Sequence, residues 1–139
     1  MMTLLEKQNS IIDDFELFDD WMQKYEYLIE LGKDLSKINP EDKSDSQLIE
    51  GCQSRVWLDA LYLDGKMKFK ADSDAIITKG IISLLIDILD NQSPADIIKS
   101  DLFFINKIGL QDHLSPTRAN GLLSMVKRMK QESLKYINK

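Results

Sequence analysis

The chain has one cysteine and one histidine among its 139 residues. A lone thiol cannot close an internal disulfide, so the fold must stand on its own hydrophobic core, and a reducing cytoplasm is the expected location. One Cys and one His are also too few for a zinc or iron-sulfur site built within one subunit, so no metal is expected. No glycine-rich phosphate loop is present, which argues against a nucleotide enzyme. Long apolar runs are missing as well. The richest, residues 81–89, is too short to span a bilayer and is interrupted by Ser83 and Asp87. The N-terminal stretch carries acidic and polar residues where an export signal needs an unbroken apolar core, so no membrane partner is expected. Positive charge is in deficit, with a formal net charge of -5, and a nucleic-acid backbone is therefore not the expected partner. The basic run Lys127, Arg128 and Lys130 is the exception and reads as a solvated helix face whose charges suit a helix C-terminal half.

What is present is ordinary globular material. An apolar share of 43% and a charged share of 29% suit a soluble core-forming chain, and residues 1–139 are of a length for one domain. Ile11, Ile12, Phe15 and Phe18 fall at helical spacing, as do Trp21, Met22, Tyr25, Leu28 and Ile29. Asp19 or Asp20 can cap the second of these helices and Gly32 is placed to end it, giving an N-terminal helical hairpin. Residues 36–46 form a polar connector, expected to be mobile. Asp64-Gly65 between two strand-like runs predicts a two-residue β-hairpin, which sets a register: Leu63 opposite Lys66, Tyr62 opposite Met67, Ala60 opposite Phe69, Leu58 opposite Ala71. The face carrying Leu58, Ala60, Met67, Phe69 and Ala71 is the core face. On the other face Asp59 meets Lys70, while Trp57, Leu61 and Leu63 call for cover over its upper part.

Asp72, Ser73 and Asp74 offer a helix start before residues 75–89, apolar almost all round and read as a buried central helix. Gly80 inside it costs about 1 kcal/mol relative to Ala, so a close packing contact is expected there. Ser93-Pro94 opens a short helix through Ile98, residues 101–108 form another that stops at Gly109, and Ser115-Pro116 starts a long C-terminal helix buried along Leu122, Met125, Val126 and Met129.

The chemistry turns on Cys52. Gly51 before it permits a tight bend, and Gln53, Ser54 and Arg55 after it are polar, so the thiol sits where a strand is about to begin. Continued strand parity turns Cys52 and Ser54 toward the core-facing side. Two readings stand: a small buried hydrophobe, common for free cysteine, or a reactive thiol near positive charge. Arg55 is turned away by strand parity. Arg118, in the first turn of the last helix, is an unfavourable place for a cation by the helix dipole and suggests another purpose. His113 is the one conventional base available to a Cys-His hydrolase, but none of the local signatures of such enzymes is present, and a loop histidine beside a helix cap is the simpler reading. A single positioned thiol can still accept a group on sulfur, hold it and pass it to another thiol, with no metal and no dedicated base of its own.

Three runs resemble one family. Gly51-Cys52-Gln53-Ser54 followed by Val56-Trp57, then Asp72-Ser73-Asp74-Ala75 with Lys79-Gly80, then residues 114–122 (LSPTRANGL), are similar in order and spacing to the motifs of the SufE sulfur acceptors, including the related CsdE proteins. The resemblance implies an α+β fold, a small antiparallel β-sheet flanked by helices, like the iron-sulfur scaffold IscU without its cluster-binding cysteines. It implies that Cys52 takes persulfide sulfur from a cysteine desulfurase of the SufS or CsdA kind, stimulates that enzyme, and passes the sulfur to a scaffold complex for iron-sulfur cluster assembly. Pyridoxal phosphate (PLP) would belong to the desulfurase, with no cofactor on this chain. By the same resemblance Gly51, Gln53, Ser54 and Arg118 belong to the cysteine loop or its surroundings, and Asp74 to the region that influences that loop and the partner interface. Glu50 departs from the family pattern and is expected to disfavour a nearby thiolate. A noncatalytic interaction module and a Cys-His hydrolase remain as alternatives, and the acidic surface suits a monomer or a dimer.

Overall fold

The structure, a computed structural model, describes residues 3–35, 38, 41, 43–52 and 54–138. Among them are six α-helices and one two-stranded antiparallel sheet, an α+β arrangement as expected. Helix α1 (Leu4–Glu16) opens with a reciprocal cap: the Glu6 N–H donates to Thr3 Oγ1 at 3.1 Å and the Thr3 N–H to Glu6 Oε1 at 3.2 Å. Helix α2 (Trp21–Lys33) is capped by Asp20, whose carboxylate accepts the Gln23 N–H at 2.9 Å.

Strands β1 (Val56–Leu63) and β2 (Lys66–Ser73) pair in the predicted register, including Leu63 with Lys66, Ala60 with Phe69 and Asp59 with Lys70. Asp64 and Gly65 both hold positive φ, 53° and 81°, as a type I′ turn requires. Val56, Leu58, Met67, Phe69 and Ala71 are buried on the core face. Helix α3 (Ile76–Leu89) lies behind that face and packs on β2, α2, α1 and α6 (Pro116–Leu134). Its buried residues Ile81, Ile82, Leu84, Leu85, Ile88 and Leu89 make it the centre of the core. The short helices α4 (Pro94–Ile98) and α5 (Phe104–Lys107) close the remaining side, each adding buried residues to the same core cluster, Ile97 from α4 and Phe104 and Ile105 from α5.

Several local expectations are corrected. Gly32 does not end α2. It lies inside the helix, where an added Cβ would stand 3.1 Å from the Gly80 nitrogen and 3.3 Å from the Lys79 carbonyl carbon. Asp72 and Ser73 finish β2, and α3 starts at Ile76, because continued pairing with Val56 and Trp57 outweighs their preference for a helix start. The helix expected over residues 101–108 is confined to α5. Its end is as predicted: Gly109 has φ +72°, its N–H donates to Asn106 O at 3.1 Å, and the Leu110 N–H donates to Ile105 O at 3.1 Å. Among the described residues, Lys43 covers the lower end of the outer sheet face, its Nζ 4.6 Å from the Trp57 ring centroid. Leu61 and Leu63 nearer the hairpin are 54% and 58% exposed. Of the connector expected over residues 36–46, residues 36, 37, 39, 40 and 42 lie outside the described residues, and its end enters a 3-10 turn, Asp45–Gln47, after Ser44.

Gly80 carries the tightest contact. A Cβ there would lie 2.2 Å from the Leu28 carbonyl oxygen and 2.7 Å from its carbon, so the backbones of α2 and α3 touch directly. Backbone cannot rotate away as a side chain can, and the helices would have to part. Gly80→Ala should therefore destabilise the fold by about 1–3 kcal/mol although alanine is the better helix former. The check is urea unfolding, read as a lower midpoint at unchanged slope.

Candidate functional site

Cys52 stands on a loop closed at both ends by backbone hydrogen bonds. On the near side the Ile49 N–H donates to Val56 O at 2.9 Å, and Leu48 forms an isolated bridge with Trp57. On the far side the Arg55 N–H donates to Asp74 Oδ1 at 3.1 Å, and the Asp74 N–H returns to Arg55 O at 3.3 Å. Asp74 is thus a loop anchor, sitting just beyond β2 and opposite the start of β1. Gly51 has φ +90°, and an added Cβ would come within 2.5 Å of Ser124 Oγ. The positive φ calls for glycine, and a Cβ would also oblige the Ser124 hydroxyl to turn away. Gln53 lies outside the described residues.

The half-buried thiol points at α6, with Sγ 3.6 Å from Gly121 O and donating to it. A Cβ on Gly121 would stand 3.5 Å from Sγ, at ordinary van der Waals contact, so the helix backbone and the loop pack closely here without clashing. Beside the sulfur is a small hollow of about 10 Å³, walled by Ser54 from the loop, Thr78 and Ile81 from α3, and Thr117, Arg118, Gly121 and Met125 from α6. A water-sized group needs roughly 10–15 Å³ of such space, so the hollow has room for about one further atom.

Burial pushes the Cys52 thiol above its ordinary pKa, so the resting group is the protonated thiol. The opposition to the thiolate expected from Glu50 comes from burial instead, and Glu50 is exposed. Arg118 is brought to the hollow. Its backbone N–H donates to Ser115 Oγ at 3.3 Å as part of the α6 cap, while its side chain makes no ion pair among the described residues. An exposed cation in the first turn of a helix gains nothing from the dipole, which leaves it available to an anion at the mouth.

His113 is elsewhere. Its ring stacks on Trp21 at 3.9 Å with 14° between planes, and Nδ1 lies 3.1 Å from Gly109 O. It does not line the hollow, so no Cys-His pair is formed. Sequence reasoning misses Thr78, Gly121, Ser124 and Arg128. Arg128 does not belong to a solvated face: Nη1 donates to Leu48 O at 3.0 Å, Nη2 donates to Ser46 O, and Nε donates to Glu132 Oε1 at 3.1 Å. A signal for Gly121 exists in the sequence, since a glycine inside a helix marks close approach. None exists for Arg128, since its partners are backbone carbonyls 80 and 82 residues away.

Residues 9–133 match the family model described as SufE, Fe-S metabolism associated domain. The chain belongs to the SufE family. An uncharacterized SufE-like protein of Rhizobium meliloti (strain 1021) is 39% identical across 95% of this chain and 96% of the relative. Another, of Rhizobium etli, is 40% identical across 90% of this chain and 88% of the relative. A solution structure of a hypothetical protein from Thermus thermophilus shares the fold, with a TM-score of 0.79 and 19% identity over 96% of this chain and 97% of that one. SufE membership assigns the chain to iron-sulfur metabolism.

The raised thiol pKa has a direct consequence. Alkylation of Cys52 by iodoacetamide should rise with pH along a curve whose midpoint lies above that of an unstructured cysteine peptide, because only the thiolate reacts and burial disfavours it. A midpoint at or below the peptide's would contradict this placement of the thiol.

Proposed function

We propose that Cys52 accepts sulfur from the persulfide of a PLP-dependent cysteine desulfurase, stimulates that enzyme by relieving it of product sulfur, and delivers the sulfur to a scaffold complex for iron-sulfur cluster assembly. One observation carries the reading: the single thiol of the chain stands half-buried on an anchored loop beside a hollow with room for about one further atom. The outer sulfur of a Cys52 persulfide is such an atom.

The transfer balances without a redox partner. The Cys52 thiolate attacks the outer sulfur of the donor persulfide, the donor S–S bond breaks as the new one forms, and the donor cysteine leaves as thiolate and takes up a proton. Delivery repeats the exchange in the other direction: an acceptor thiolate attacks the outer sulfur on Cys52, and Cys52 leaves. Since burial holds the resting thiol protonated, docking of the donor must bring Cys52 out to where its proton can be lost. Such docking moves the loop between Ile49 and Val56, and the bonds at its two ends keep the excursion local. Between transfers the hollow shields the persulfide from other thiols and reductants. Arg118 at its mouth suits the anionic persulfide, which ionises more readily than a thiol and gains from a cation beside it.

Intact-protein mass after incubation with a cysteine desulfurase and L-cysteine, with small thiols removed, tests the reading. Wild type should gain one or more sulfur atoms reversibly by thiol, and Cys52→Ser should gain none while keeping its fold. Sulfur on the Cys52→Ser protein, or none on wild type with several active desulfurases, would overturn the acceptor role. The second result would leave a module that binds partners through the same fold.

A further inference from the structure

The arm that leads into the cysteine loop runs along α6 in a fixed register. Ser46 and Leu48 lie at Arg128, Gly51 at Ser124, and Cys52 at Gly121. Gly121, Ser124, Arg128 and Glu132 are spaced i, i+3, i+7 and i+11, which places them on one face of the helix. Of the four, Arg128 makes the strongest bonds. Its fixed fork spans two carbonyls of the arm, at Leu48 and Ser46, while Nε is held by Glu132. Glu132 is itself steadied by Lys135 at 2.9 Å, and although burial pushes its carboxyl up, the bonds from Lys135 and Arg128 hold it below the usual carboxylate range. The carboxylate is therefore charged at neutral pH and keeps the guanidinium aligned. Arg128 Nη1 bonds the carbonyl of Leu48, whose neighbour Ile49 makes the bond to Val56 that closes the loop.

We propose that Arg128 is a positioning residue for Cys52: by strapping the arm to α6 it keeps the sulfur on Gly121 O and inside the hollow, and so sets how often the thiol, or the persulfide it is proposed to carry, meets solvent. The second half of that statement rests on the sulfur-acceptor reading; the first does not. Arg128 touches neither the sulfur nor the hollow, and it acts through the arm alone.

The sign of the effect separates this role from electrostatics. Removing a cation could only disfavour the Cys52 thiolate and slow alkylation. Releasing the arm raises the open fraction and speeds it. Arg128→Gln should accelerate iodoacetamide labelling of Cys52 roughly tenfold, the loss expected when charge-assisted bonds to backbone carbonyls are removed. Arg128→Lys keeps the charge but not the fork and should fall between the two. Lys130→Gln serves as the control, because Lys130 on the same helix donates to Ser100 O at 2.8 Å, away from the arm. Should Arg128→Gln fail to fold, Glu132→Gln leaves the guanidinium in place but unaligned, and a smaller acceleration is expected. Hydrogen exchange should rise at residues 46–52 in the same variants. Unchanged or slower labelling in Arg128→Gln, or an equal rise in Lys130→Gln, would overturn the inference. With desulfurase and L-cysteine, the Arg128→Gln persulfide should be lost to glutathione faster than that of wild type. Faster labelling in a protein that takes up no sulfur would uphold the strap and overturn the sulfur-acceptor reading.

Discussion

The direct contact between the backbones of α2 and α3 at Gly80 sets the depth at which everything else is built. A helix as apolar as α3 could sit in a core in many ways, but a position where even a methyl group would strike the Leu28 carbonyl leaves one. Thr78 and Ile81 flank Gly80 on the same helix and form part of the wall of the hollow at Cys52. The crossing that organises the core therefore also fixes one side of the site. Gly32, across the interface, lets the two helices stay close for a further turn.

At the site, the positive φ of Gly51 turns the loop against Ser124, and the Cys52 sulfur reaches the Gly121 carbonyl of α6. The result is a thiol whose hydrogen-bond acceptor is a helix carbonyl, which stabilises the protonated form and offers no base. The same burial that raises the Cys52 pKa disfavours its thiolate in the isolated protein.

Polar staples hold the lower end of the sheet and the arm. Asp72 at the end of β2 pairs with Lys43 at 2.7 Å and Lys79 at 3.1 Å; burial pushes its carboxyl up, but the two lysines hold it below the usual range. Lys43 also covers the Trp57 ring, so one ammonium joins the connector to both strands. Together with Arg128 and Glu132 on the other side, these part-buried pairs concentrate ionic contacts around the segment that presents the cysteine. The hairpin tip, by contrast, keeps Leu61 and Leu63 in the open.

Local patterns were enough for most of the fold. Asp64-Gly65 set the hairpin and its register because a type I′ turn admits few residues and a two-residue loop leaves no slack. The apolar run of residues 75–89 could only be a buried helix, and the Ser93 and Ser115 caps marked their helices because a cap is a contact between near neighbours. The motifs around Cys52, Asp74 and Arg118 were enough for the family. What they could not supply was anything carried by contacts distant in sequence: whether Gly32 ends a helix or lies within one, where β2 yields to α3, and that His113 stacks on Trp21 rather than serving Cys52. Arg128 shows the limit most plainly. Its spacing along α6 reads as solvated charge, and only tertiary structure brings the carbonyls of Ser46 and Leu48 to its guanidinium, because backbone acceptors carry no residue-type signal by which a sequence could announce them.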